Sequence, residues 1–219
     1  MLRAIVFDLD DTLVDQAGAA RRAVVGWAAE HGITGADVAD RWDAVSDRHY
    51  RRYQSRAIGF QEQRRARATE FLGVDATDAE ADALFAGYLT RYETQWAAFD
   101  DAVPTLRRVR AAGLRTIVLT NGDDDHQRLK IDLTGLAAEV DLLVSTSTLP
   151  ASKPDPRVYR LTCERVGIAP GEALMVGNSL AHDVLGPLEA GLAAVLLDRH
   201  GAHPGAAVRR ISTLHDLHW

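Results

Sequence analysis

The chain has 219 residues, 47% of them hydrophobic, and its 25 basic against 31 acidic side chains leave a formal net charge of −6. That balance provides no general basic face for nucleic acid, and no apolar run approaches the ~18 residues of a membrane span. One cysteine, Cys163, permits no internal disulfide, so it reads as a small buried residue. The expectation is a soluble cytoplasmic protein without nucleic-acid or membrane partners, with monomer and homodimer both open.

Leu2 to Asp8 is a short apolar run rich in β-branched and aromatic residues, which predicts a buried strand. From Asp15 to about Phe99 the periodicity is helical. AARRAVVGWAAEHG, ADVADRWDAVSDRHYRRYQS, FQEQRRARATEFLG and DAEADALFAGYLTRYETQW each repeat apolar residues three and four apart, punctuated by Gly32, Gly59, Gly73 and the segment DATD. Four successive helices with no strand predict an inserted bundle over 16–99, packed by Trp27, Trp42 and Trp96. From Asp100 onward helix and strand alternate: PTLRRVRAAG and LRTIVLT, DDDHQRLKIDLTG and VDLLVST, DPRVYRLTCERVG and EALMVGN, LAHDVLGPLEAG and LAAVLLD. A loop and a last short strand and helix follow. The fold class is α/β, a Rossmann-like, doubly wound, mostly parallel sheet built from 1–15 and 100–219 with helices on both faces. Such sheets bind ligands beyond the carboxyl ends of their strands.

The strand ends carry the polar residues. Asp8, Asp10, Asp11 and Thr12 follow the first strand, and Thr120-Asn121-Gly122 the second. Ser152-Lys153-Pro154 lies in the loop after the third. Gly177-Asn178-Ser179, with Asp183 a turn later, follows the fourth. Two carboxylates brought close resist joint ionisation, and a divalent cation with hard oxygen ligands, Mg²⁺, relieves this. Lys153 adds a second positive charge, and the Thr120 hydroxyl with backbone N–H groups near Asn121 can hold anionic oxygens. This composition suits phosphoryl transfer, with Asp8 as nucleophile and Asp10 as general acid and base. Asp123, Asp124 and Asp125 read as helix capping. Of the 25 basic residues only Lys130 and Lys153 are lysines, which singles out both.

FDLDDTLVD, LTNG, SKPDP and VGNSLAHD, in this order, resemble the four motifs of the haloacid dehalogenase superfamily. The helical insertion resembles that superfamily's alpha-helical cap of the first type. The resemblance spans essentially the whole chain. It implies that Asp8 forms an aspartyl-phosphate, and that Asp10 is the general acid/base whose backbone carbonyl also binds Mg²⁺. Thr12 would shape the turn. Thr120 and Asn121 would bind the phosphoryl group, and Lys153 would steady nucleophile and phosphate. Asp8, Asp10, Asn178 and Asp183 would hold the metal. Asn178 stands where Gly-Asp-Ser is common, so Asp183 carries more of that motif's charge. In the insertion, the arginines of QEQRRARATEFLG read first as a solvated helix face. The sharper reading aims Arg64 or Arg65 at the substrate's leaving group.

A dehalogenase is disfavoured, because that branch resembles FDxYGT and needs no metal. A phosphonate hydrolase would need a cap lysine, and none lies between Asp15 and Phe99. The expected activity is Mg²⁺-dependent hydrolysis of a small phosphorylated metabolite, a nucleotide or sugar phosphomonoester. The alternatives are a β-phosphoglucomutase-like phosphotransferase and a non-catalytic small-molecule-binding protein of the same fold.

Overall fold

The computed structural model describes all residues from Met1 to Trp219. Strand β1 (Ala4–Phe7) is buried along its whole length. Strand alternation sends Ile5 and Phe7 into one apolar cluster and Ala4 and Val6 into another, the pattern of a strand covered on both faces. With β2 (Arg115–Thr120), β3 (Leu142–Ser145), β4 (Ala173–Gly177), β5 (Ala193–Leu197) and β6 (Arg210–Ile211) it forms one sheet of order β3-β2-β1-β4-β5-β6. Every pairing is parallel. The winding direction reverses beside β1, which opens a crevice outside the carboxyl ends of β1, β2 and β4.

Two layers of helix close the sheet. Helices α5 (Ala102–Ala111) and α6 (Asp124–Leu133) cover one face, where Leu106, Val109 and Ile131 meet Ile5, Phe7, Val118 and Val176. In α5 the buried residues Ala102, Thr105, Leu106 and Val109 recur at helical spacing. Helices α7 (Pro156–Arg165) and α8 (Gly186–Ala190) cover the other face, where Val158, Tyr159 and Ala190 meet Val6, Ile117 and Met175. Cys163 is buried there. Asp123 caps α6, accepting from the His126 N–H at 3.3 Å, and Asp155 caps α7 ahead of Pro156.

One predicted helix differs. LAHDVLGPLEAG opens as a π-helical turn, Leu180–Leu185, and only then becomes α8. Pro187, in the first turn of α8, has no N–H to continue an i→i−4 ladder from the preceding turn.

The chain divides into two compact units, Met1–Asp15 with Ala97–Trp219, and Gln16–Trp96. The second consists of α1 (Gln16–Glu30), α2 (Val38–Gln54), α3 (Phe60–Leu72) and α4 (Asp78–Thr94). Its core is aromatic. The Trp42 ring lies 4.4 Å from Tyr88 and 5.5 Å from Trp27, centroid to centroid, and Trp96 packs edge-on to Tyr92. Helix α4 begins with a capping box, in which Glu80 accepts from the Thr77 N–H at 2.8 Å.

Candidate active site

The β1 ladder extends one residue past the strand, with Asp8 N–H donating to the Val176 carbonyl at 2.9 Å. The chain then turns sharply. The N–H groups of Leu13 and Val14 donate back to the Leu9 carbonyl, and Asp11 takes a left-handed conformation (φ 59°) that Asp tolerates better than most residues. The turn returns Thr12 to Asp8, and the threonine hydroxyl donates to Asp8 Oδ2 at 3.1 Å. Both residues are buried. Arg199, just beyond β5, braces the turn by donating from Nη2 to the Thr12 carbonyl at 2.9 Å. Its two Nη atoms also grip Asp101 at the start of α5, each at 2.8 Å.

Lys153 is buried between two carboxylates. Its Nζ donates to Asp8 Oδ1 and to Asp183 Oδ1, each at 2.7 Å. The lysine is held by Asn121, whose Oδ1 accepts from Lys153 N–H at 2.8 Å and from the Thr146 hydroxyl at 2.9 Å. Asn121 Nδ2 donates to the Lys153 carbonyl at 3.1 Å. The Asn121 side chain therefore fastens the lysine segment to the end of β2. Asp183 Oδ2 accepts from Ser179 N–H at 3.0 Å. A Cβ at Gly177 would lie 2.4 Å from the Asp183 carboxyl carbon, so the close approach requires glycine. Asn178 is half-buried beside it, and no hydrogen bond ties down its side chain.

Asp10 is gripped from α6 by residues that the sequence does not assign to the site. Gln127 Nε2 donates to Asp10 Oδ2 at 2.8 Å and to the Thr120 hydroxyl at 2.7 Å. Lys130 Nζ pairs with Asp10 Oδ1. Both α6 residues are buried, and they stand three apart on one helix face. The scarcity of lysine was the one available signal, since both lysines of the chain lie on carboxylates of this cluster.

Three carboxylates thus face two ammonium groups. Burial, opposed by Lys153 and reinforced by Asp183 and Asp10, raises the Asp8 carboxyl to about 7. At Asp10 burial also disfavours the charge, but Lys130 and the Gln127 amide outweigh it and hold the carboxyl below its usual range. Burial works against the Lys153 ammonium, yet Asp183 and Asp8 keep it above its usual value. The cluster is short of positive charge. The nearby oxygen donors, namely the Asp8 and Asp183 carboxylates, the Asn178 amide and the Asp10 carbonyl, are the hard ligands that a small divalent cation takes. No three His, Cys, Asp or Glu side chains form a metal-holding group by themselves, so the neutral oxygens of Asn178 and Asp10 are needed to complete such a set.

In the helical unit Arg65 is committed to α4. Its Nε and Nη2 each meet Asp82 at 2.8 Å, and Nη1 pairs with Asp78. Arg64 lies over the Phe60 ring, 4.2 Å from its centroid.

Known proteins resemble this chain along most of its length. A family model described as haloacid dehalogenase-like hydrolase matches residues 2–191. The N-acylneuraminate-9-phosphatase of Mus musculus is 30% identical over 213 residues, covering 93% of this chain and 85% of that protein. The (S)-2-haloacid dehalogenase 4A of Burkholderia cepacia is 32% identical over 108 residues, 49% of this chain and 46% of that protein. The crystal structure of a HAD phosphatase from Thermococcus onnurineus superposes with a TM-score of 0.70 at 26% identity, covering 98% of this chain and 95% of that one.

Proposed function

The chain belongs to the haloacid dehalogenase-like hydrolases, and within that family we propose that it is a Mg²⁺-dependent phosphatase acting on a small phosphomonoester of nucleotide or sugar-phosphate type. The observation that carries this reading is the pair of carboxylates on one turn, Asp8 and Asp10, each held by its own lysine. A single nucleophilic carboxylate suffices to displace halide. Transfer of phosphate to water also needs a group that moves a proton at the leaving oxygen, and Asp10 supplies it. The curated phosphatase similar over 93% of this chain favours the same branch.

Asp8 attacks phosphorus to form an aspartyl-phosphate as the bond from phosphorus to the ester oxygen breaks. The electron pair leaves with that oxygen, which takes its proton from Asp10. Asp10 then removes a proton from water, which attacks phosphorus, releases inorganic phosphate and restores Asp8. Lys153 offsets the charge of nucleophile and phosphoryl oxygens and keeps Asp8 oriented. Asp8, Asp183, Asn178 and the Asp10 carbonyl would hold Mg²⁺, which when bound supplies the positive charge that keeps Asp8 ionised and offsets charge on the phosphoryl oxygens.

Phosphate release from a panel of phosphomonoesters, with and without Mg²⁺, tests the reading. Wild-type protein is expected to release phosphate only with metal, and Asp8→Asn to fall by at least about a thousandfold. Folded wild-type protein that releases none with ample Mg²⁺ overturns it. Interconversion of sugar phosphate isomers without release would identify a mutase instead.

A further inference from the structure

The chain has two lysines among its 25 basic residues, and Lys130 and Lys153 are 2% and 4% exposed. Each holds a different carboxylate of the turn after β1. Lys153 has an evident partner in the reaction just described, whereas Lys130, on α6, touches neither Asp8 nor Asp183 through any bond seen here. Its ammonium meets one oxygen of Asp10, and Gln127, one turn earlier on the same face, donates to the other. Gln127 is fixed in turn by the Thr120 hydroxyl at the end of β2. The backbone leaves room for this arrangement only because residue 122 is glycine. A Cβ there would lie 2.5 Å from the Gln127 carboxamide carbon.

We propose that Lys130 and Gln127 are positioning residues for the proton-transfer step: together they hold the Asp10 carboxylate where it exchanges a proton with the ester oxygen and then with the attacking water. The inference rests on the phosphatase reading above. An aspartate on a turn has several staggered side-chain positions, and Asp10 retains 29% side-chain exposure, so its own surroundings do not restrict it to one. Two bonds from a rigid helix do. The pairing also keeps the two catalytic carboxylates on separate cations, leaving Lys153 to Asp8 and Asp183. A compact ammonium suits this buried position, because a guanidinium is larger and presents a planar fork of five donors. That accounts for lysine in a chain that elsewhere uses arginine.

The test separates the two halves of turnover with p-nitrophenyl phosphate, whose leaving group departs as the anion without a proton from Asp10. In the first half Asp8 displaces p-nitrophenolate. In the second Asp10 takes a proton from water. Lys130→Met and Gln127→Met, in protein loaded with Mg²⁺, are followed by stopped flow. The expected result is a burst of p-nitrophenolate with wild-type amplitude, followed by steady turnover slowed about 10- to 100-fold at unchanged KM. Lys130→Arg is expected not to restore the rate. If the lysine only stabilises α6, burst amplitude and steady rate fall together in proportion to the folded fraction, and that result overturns the proposal. So does wild-type turnover in both variants. Should Lys130→Met fail to fold, Gln127→Met decides by the same split. Wild-type protein that gives neither burst nor turnover refutes the phosphatase reading itself, a separate outcome.

Discussion

Replacing Asp101 by asparagine removes a charge that fastens three parts of the sheet unit together. Asp101 is 5% exposed and accepts four hydrogen bonds: two from Arg199 at 2.8 Å, one from the Thr213 hydroxyl at 2.7 Å and one from the Leu214 N–H at 2.9 Å. Burial disfavours its ionised form, but these donors prevail and lower the carboxyl from 3.8 to about 2. That difference corresponds to about 2.5 kcal/mol of folding stability at neutral pH. A carboxyl depressed in the folded state stabilises fully above its unfolded value, and the contribution is lost as pH falls through the folded one. About half of it therefore remains at pH 3. Urea unfolding of wild type and Asp101→Asn at pH 7 and pH 3 reads the effect directly. The expected gap is about 2–3 kcal/mol at pH 7, narrowing by about 1 kcal/mol at pH 3. A gap that does not narrow, or that is below about 0.5 kcal/mol at pH 7, refutes the assignment of the stability to this charge.

Two further substitutions probe the metal site and the helical unit. Asn178→Asp adds a charged oxygen ligand, and calorimetric titration with Mg²⁺ is expected to show binding about tenfold tighter than wild type; equal affinity would remove Asn178 from the ligand set. Trp27→Ala opens a cavity among Trp42, Phe71 and Tyr88 and is expected to cost about 3–5 kcal/mol in urea unfolding. Trp27→Phe should cost less than half of that, because the buried Trp27 Nε1–H has no hydrogen-bond partner to lose.

Much of this arrangement can be read from the chain. The ends of β1, β2 and β4 are visible because each joins a buried apolar run to a short polar cluster, and parallel strands bring such clusters to one edge. The four helices of the insertion are visible because their apolar spacing and glycine stops agree. Lys130 and Gln127 are not, for a physical reason. On a helix flanked by Asp124, Asp125, Arg128 and Asp132, a lysine and a glutamine have the pattern of a solvated face. Their burial depends on how α6 lies against β1 and β2, which no local periodicity encodes. Arg199 is hidden in the same way, since its partners Thr12 and Asp101 lie 187 and 98 residues away. The π-helical turn at Leu180–Leu185 also differs from expectation, because Pro187 interrupts a pattern that otherwise reads as plain α-helix.

With both lysines enclosed at 2% and 4% exposure, the folded surface presents no side-chain amine at all. Its cationic groups are guanidiniums, apart from any protonated imidazoles and the chain's amino end. Acylating reagents, amine-directed cross-linkers and enzymes that attach groups to lysine find no lysine target on the closed protein. The only residues they could reach are the two that hold the catalytic carboxylates, and only after the structure around them opens. Any lysine acylation of this chain would therefore mark a molecule in which the site has come apart, and its rate would time that opening.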